Sequence, residues 1–357
     1  MDRGKAGQPL TLRGLEIPNR IWMSPMCQYS AGPDGVPTSW HTVHYVSRAI
    51  GGSGTVMVES TAIGPRHRTT ASDLGLWNGQ QVQAHSRLAA EIRAVGAVAA
   101  VQLQSAGRKS SHKVPWLGEG QNSPVALDDG GWIPMAPSPR PFGDLTVPAE
   151  MTVGEIDKVV EDFAQAASNA HEAGYDVVEI HAAHGYLLHQ FLSPVSNHRL
   201  DDYGGSLENR MRMPLRVAQA VRDSFPEHKP VFVRLTATDW IDGGITLDEA
   251  RDFARSLAGT GIDLLDVTSG ALSLDAQPPK RQALNVEFAQ TLRAESGIPA
   301  APVGQLSDPE LVGTVLEQSG VDAVIVGRAL LRDPYFALRL LGDHSKARWP
   351  RQYHRAL

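Results

Sequence analysis

Cys27 is the sole cysteine, which excludes an internal disulfide and any cysteine-ligated cluster. No apolar run of about 18 residues occurs, so no segment reads as a membrane span. The first residues, Met1-Asp2-Arg3-Gly4-Lys5-Ala6-Gly7-Gln8, have no apolar core of a signal peptide, and the expected location is cytoplasmic. Basic residues are not in excess. With 33 Lys and Arg against 39 Asp and Glu, the net charge of −6 argues against nucleic acid as the main partner and against a membrane surface. No Gly-x-Gly-x-x-Gly follows a strand, so a separate dinucleotide-binding module is not expected. There is no low-complexity tract. What remains is a chain of 357 residues, 42% hydrophobic, long enough for a large core and expected to form a single domain over 1–357.

Short apolar runs alternate with helical patterns. Strands are expected at 20–24, 55–59, 97–103, 177–181, 231–235, 264–268, 301–303 and 323–326. Helices are expected at 43–50, 79–95, 153–173, 208–224, 247–257, 286–295, 308–318 and 334–341. Eight strands alternating with helices indicate parallel pairing and an α/β fold of the (β/α)8 TIM-barrel type. Leu10 to Ile17 alternates about Gly14, which predicts an N-terminal hairpin. The segment 105–150 breaks the rhythm. It carries seven prolines, from Pro115 to Pro148, and leaves the C-terminal face of strand three, so it reads as a lid in which Trp116 and Trp132 could pack. The tail, 349–357, reads on its own as a frayed terminus.

The stretch Val177-Val178-Glu179-Ile180-His181-Ala182-Ala183-His184-Gly185-Tyr186 runs off the end of strand four. It delivers two imidazoles and a phenol within six residues, a set suited to polarising a carbonyl and protonating a carbon. The bland alternatives are core or surface histidines. A metal site using His189 and His198 is the sharper alternative, but strand one supplies no His-x-His and cysteine ligands are lacking, so no metal is expected.

Gly304 and Gly327-Arg328 follow strands seven and eight. Barrels of this type bind phosphate there with backbone N–H groups, although two ligand-free glycine turns would look the same. Gln102 and Arg234 end strands three and five. A buried guanidinium needs an anion, either a planar heterocycle that gains negative charge on reduction or a structural carboxylate. Cys27 follows strand one with no base beside it. It reads as a small buried hydrophobe or as a contact that tunes a cofactor. The polar run from Asn197 to Arg210 reads as structural, with a helix start at Ser206.

These pieces, in this order, resemble the Old Yellow Enzyme family of FMN-dependent ene-reductases over essentially the whole chain. The specific matches are Asn19-Arg20, Ser24-Pro25-Met26-Cys27, Gln102-Leu103, Ala106-Gly107-Arg108-Lys109, the His181 to Tyr186 stretch, Asp201-x-Tyr203-Gly204-Gly205-Ser206, Asn209-Arg210, Phe232-Val233-Arg234 and Gly327-Arg328. Cys27 with Tyr29, and the tail Gln352-Tyr353-His354-Arg355, are similar to the thermophilic-like branch, which includes NADPH dehydrogenases and xenobiotic reductases.

The resemblance implies FMN as cofactor, NADPH (or NADH) as reductant, and reduction of the activated C=C bond of an α,β-unsaturated carbonyl compound in ping-pong fashion. It implies that Ser24, Pro25, Met26, Cys27 and Ser60 line the flavin, with Gln102 on its pyrimidine edge. Arg234 is implied beside the anionic reduced ring, and Gly304, Gly327 and Arg328 at the phosphate. His181 and His184 are implied to bind the substrate carbonyl oxygen, Tyr186 to donate the proton, and Tyr29 to help on the substrate side. Arg355 is implied to enter the site of a neighbouring subunit in a homodimer or homotetramer, which makes the tail functional. Two departures lie on the substrate side: Gln104-Ser105 replaces the usual Ala-His, and the 105–150 excursion is long. The other classes weighed are a metal-dependent barrel hydrolase, an FMN-dependent RNA dihydrouridine synthase and a non-catalytic FMN store.

Overall fold

A computed structural model describes residues 4–117, 123–342 and 349–357. Eight parallel strands form one sheet: Ile21–Met23, Thr55–Ala62, Val98–Gln104, Val177–Ala182, Val231–Thr236, Leu264–Thr268, Ala300–Pro302 and Val324–Val326. They pair in sequence order, the eighth strand also pairs with the first, and a bridge between Val303 and Ile325 joins the seventh to the eighth, closing a (β/α)8 TIM barrel. All eight expected strands are present, with ends displaced by a few residues.

Two apolar cores follow from the period-two alternation of side chains along each strand. Inside the barrel Trp22, Met57, Val98, Val177, Phe232, Leu264 and Ile325 pack together, with Trp22 and Phe232 stacked at 5.7 Å. Leu12 and Ile17 of the hairpin Leu10–Leu12 and Leu15–Ile17 join this cluster and plug the N-terminal end. The outward residues pack against the amphipathic helices. Above the inner plug, towards the C-terminal ends of the strands, the interior turns polar with Gln102, Glu179, Arg234 and Asp266, all fully buried or nearly so.

Three expectations need correction. The first helix begins at Ser39, four residues earlier than the apolar pattern suggests, because Thr38 and His41 form a reciprocal capping box that hydrophobic spacing does not reveal. The helix expected at 334–341 is shorter, Phe336–Leu340, and a separate short helix, Arg328–Arg332, precedes it. Asp333 precedes a proline and is extended (φ −136°, ψ 99°), which breaks the helix between them. In the excursion, Trp132 packs against Arg68 and donates to Ser110 Oγ at 2.6 Å. Trp116 does not pack inside: it is 61% exposed and its indole donates to Gln28 O at 3.1 Å, reaching the loop after the first strand. Residues 118–122 of the excursion lie outside the described residues. Its second half returns through Met135–Ala136, paired with Ala149–Glu150.

Arg199 explains the polar run after strand four. Buried, it donates to Pro137 O at 3.2 Å and Met151 O at 2.6 Å and pairs with Asp201, tying that loop to the base of the excursion. Ser206 caps the next helix, Leu207–Ser224, by accepting from Asn209 N.

Candidate active site

The fourth strand ends at Ala182, and the chain turns sharply. His184 (φ 55°) and Gly185 (φ 71°) are both left-handed. A side chain at Gly185 would meet Ala271 O at 2.7 Å, so this position accepts only glycine without a shift of the sixth-strand loop. The turn is gripped on all sides. Thr236 Oγ1 accepts from His184 N at 3.2 Å, His189 Nδ1 accepts from Gly185 N at 2.8 Å, and Lys109 Nζ donates to His184 O at 2.8 Å. The result places His181 edge-on to both His184 (5.3 Å) and Tyr186 (4.8 Å).

Electrostatics fix the states of these groups. Burial, helped by neighbouring positive charge, holds His181 and His184 well below the usual histidine range, so both rings are neutral. Burial raises Tyr186 well above the usual phenol range, so it keeps its proton. Ala183 N donates to His181 Nδ1, which leaves the proton on Nε2; the other contact, His184 Nε2 to Thr268 Oγ1, is 2.9 Å. Lys109 was overlooked in the sequence although it stands in a quoted motif. Its Nζ lies 5.6 Å from the Tyr186 ring centre, and burial, with Arg108 nearby, pushes its ammonium down to about 7.

Cys27 is half-buried, with burial first and Glu59 second pushing its thiol up, which speaks against a nucleophile. Tyr29 is left-handed (φ 50°), shares a hydrogen bond with Cys27, and has a phenol raised by Cys27 and by burial.

The sequence left two anions open for Arg234, and the structure supplies the carboxylate. Arg234 Nε donates to Asp266 Oδ2 at 2.7 Å, Glu179 Oε1 is 3.7 Å away, and Nη2 donates to Ser24 Oγ at 3.0 Å. Asp266, distant in sequence, pairs with Arg234 because their strands are neighbours in register. Burial, with the Asp266 charge, raises Glu179 well above the carboxylate range. Nη1 of Arg234 engages no hydrogen-bond partner among the described residues. Gln102 accepts from Ser60 Oγ at 2.6 Å and donates to Glu179 at 2.7 Å, with one amide hydrogen left over.

The glycine turns do come together. Gly304, Gly327, Arg328, Arg332 and Met26 line a cavity of about 310 Å³ beyond the seventh and eighth strands. Gly304 is left-handed (φ 117°). A Cβ at Gly327 would touch only Met26 Sδ at 3.6 Å and Ser24 Cβ at 3.9 Å, so the protein itself leaves that backbone open to a ligand. Arg328 is exposed there and joins no ion pair among the described residues. These features fit a phosphate-bearing flavin: an anion cradle, an unfilled glycine backbone, and the spare N–H groups of Arg234 and Gln102 on one side of it. Arg355 is not brought to this site. It lies exposed in the tail, whose Tyr353 and Trp349 pack on Tyr335. His189 and His198 do not join His181 and His184: His189 Nε2 faces Asp239 at 2.8 Å and His198 is exposed. Among the described residues no group of three His, Cys, Asp or Glu side chains is gathered for a metal.

A closed barrel with an anion cradle after its last two strands and uncharged proton donors above the strand ends belongs to the class of phosphate-cofactor barrel enzymes. The comparisons give the family: the chain belongs to the NADH:flavin oxidoreductase / NADH oxidase family, whose model matches residues 7–346. NADPH dehydrogenase of Listeria innocua is 42% identical over 350 residues, 97% of each chain. NADPH dehydrogenase of Bacillus subtilis is 38% identical over 331 residues, 92% of each. Among solved structures, morphinone reductase superposes with a TM-score of 0.79 at 28% identity, covering 98% of this chain and 93% of that one. The old yellow enzyme homologue from Zymomonas mobilis gives 0.80 at 26%, covering 96% and 93%. The chain is thus an FMN-dependent oxidoreductase of this family, with a barrel similar to those of morphinone reductase and the old yellow enzyme homologue. Among the described residues no helix is long and apolar enough to cross a membrane.

Proposed function

We propose that this protein reduces the activated C=C bond of α,β-unsaturated carbonyl compounds. The observation that carries this reading is the cluster of His181, His184 and Tyr186, two neutral imidazoles edge-on to each other with a protonated phenol beside them. When bound and reduced by NADPH (or NADH), FMN would supply the hydride for the alkene β-carbon. Ser24, Pro25, Met26, Cys27 and Ser60 would form its wall, Gln102 and Arg234 would offer their spare N–H groups to its polar edge, and Gly304, Gly327 and Arg328 would hold its phosphate.

His181 donates through Nε2–H to the substrate carbonyl oxygen. In the tautomer where Thr268 donates to Nε2 of His184, Nδ1–H of that ring is left for the same oxygen. Both bonds strengthen as negative charge gathers there. Tyr186, kept protonated by burial, protonates the α-carbon. Tyr29, tied to Cys27, closes the substrate side. Nicotinamide and alkene share one open face, which makes the kinetics ping-pong. The exposed Arg355 suits delivery into a neighbouring subunit's site in a homodimer or homotetramer.

Anaerobic stopped-flow on Tyr186→Phe tests the reading. Reoxidation of the reduced enzyme by 2-cyclohexenone is expected to slow by roughly a hundredfold or more, the usual worth of a positioned general acid. Reoxidation as fast as in the wild type removes Tyr186 as proton source and with it the proposed reaction.

A further inference from the structure

A second cavity, about 400 Å³, opens between the 105–150 excursion and the loop after the sixth strand. Arg108, Arg140, Phe142, Val195, Leu274 and Asp275 face it. Arg108 is only 5% exposed, yet no carboxylate pairs with it. Its Nη2 donates to Leu272 O at 2.8 Å and Nη1 reaches Pro141 O at 3.5 Å, while Nε is buried with no hydrogen-bond partner among the described residues. Burial pushes the guanidinium down to about 10; Asp239 offsets part of that and Arg140 adds to it. Arg140 is exposed and joins no ion pair among the described residues. Asp275, the one acid at the cavity, accepts from Ser273 Oγ at 3.2 Å. The cavity therefore carries two guanidiniums against one carboxylate.

A buried guanidinium without a counter-ion is costly, and an arriving anion relieves it. The cavity is also too large for a bare phosphate and falls in the range of small-molecule sites. Phe142, Val195 and Leu274 give it an apolar wall. It stands one side-chain layer from the active site: Lys109 Nζ lies 4.1 Å from the Phe142 ring centre and 5.6 Å from that of Tyr186. The described residues form one barrel with no separate dinucleotide module among them, so the far end of the reductant is sought on this same face. A further cavity, about 640 Å³ and lined by Arg13, Arg222 and Phe225, cannot serve, because both guanidiniums there are already engaged with Asp263.

We infer that this cavity binds the 2′-phosphoadenosine end of NADPH, with Arg108 and Arg140 on the phosphate and the apolar wall against the purine. The inference rests on the proposed reductive role and adds a site for choosing between the two reductants. Arginine suits the task because its planar fork meets phosphate oxygens two at a time. NADH lacks that phosphate and leaves both guanidiniums unsatisfied.

The test uses FMN-loaded enzyme and two readouts. Calorimetric titration with adenosine 2′,5′-bisphosphate and with AMP is expected to show a preference for the bisphosphate. Arg140→Gln is expected to reduce that preference by about tenfold, the worth of one charge-assisted hydrogen bond. Anaerobic flavin reduction is expected to show the same loss in the NADPH-over-NADH ratio of apparent Kd values. Arg108→Lys, which keeps the charge but loses the fork, is a second variant and is expected to lower the same NADPH-over-NADH ratio. Equal weakening of NADPH and NADH in Arg140→Gln would mean the guanidinium serves the pyrophosphate common to both, and an unchanged ratio would mean it serves neither; each sinks the inference. Failure of both nucleotides to reduce the flavin is a different result, which defeats the reading of the reductive half-reaction itself.

Discussion

An imidazole that donates to a carbonyl oxygen in its neutral form needs a held ring, and here burial keeps both rings neutral while Ala183 N bonds His181 and Thr268 bonds His184. Burial depresses the folded pKa of His181 and His184 below the ordinary value near 6.5, so the neutral form persists as pH falls through that region. Burial raises Tyr186, so its proton persists as pH rises towards 10. The two shifts point the same way: the alkene-reducing step should be flat across the range in which free histidine titrates. The measurement is the pH dependence of reoxidation of the reduced enzyme by 2-cyclohexenone in single turnover. A plateau from about pH 6 to 9 is expected. An inflection near 6.5 that disappears in His184→Asn would show that a charged imidazole takes part.

The element that sets these residues is the turn after the fourth strand, and one buried pair controls it. Gly185 N–H donates to His189 Nδ1, so the His189 proton sits on Nε2, facing Asp239 Oδ1 at 2.8 Å. Burial would raise Asp239, but His189 and the bonds from Ile245 N and Ser193 Oγ hold it below the usual value. Asp239→Asn removes one of these acceptors. If its oxygen faces His189, its amide hydrogens collide with Ile245 N–H; if it turns round, the imidazole is driven to the other tautomer and loses Gly185. The expected cost is about 1–3 kcal/mol, the worth of a buried unsatisfied group, and Tyr186 and His184 should lose their setting. Turnover per bound flavin with 2-cyclohexenone should fall at least about tenfold, with kcat affected more than KM. A variant that is merely less stable, with kcat per folded site intact, would show the pair to be scaffold alone.

At the scale of the molecule, the barrel was legible because each strand is a short apolar run bounded by turn residues, and alternation with helices leaves few topologies. The glycine cradle and the His181 to Tyr186 turn were legible because both are local in sequence. Asp266 was not, because its pairing with Arg234 exists only once the fifth and sixth strands are in register. Asp239 and the Arg108 cavity were hidden for the same reason. So was His85, which joins the second helix to the base of the fourth strand through Tyr175 Oη at 2.7 Å and is fully buried. Burial pushes His85 down to about 3, against about 6.5 in an unfolded chain. The sign follows: the unfolded state binds the proton first, so the stability that His85 contributes is complete above about pH 6.5 and is lost as pH falls towards about 3. Buried carboxylates with raised pKa values, Glu59 and Asp73 among them, act in the opposite sense, so the wild-type profile alone mixes the two. The informative quantity is the difference from His85→Gln, which cannot titrate. In urea unfolding of the FMN-loaded enzyme, the wild type should lose up to about 1.4 kcal/mol per pH unit more than His85→Gln between pH 6 and 4, the linkage slope for one proton. Parallel pH profiles for the two proteins would show that His85 takes up its proton equally in both states and that its burial does not govern acid stability.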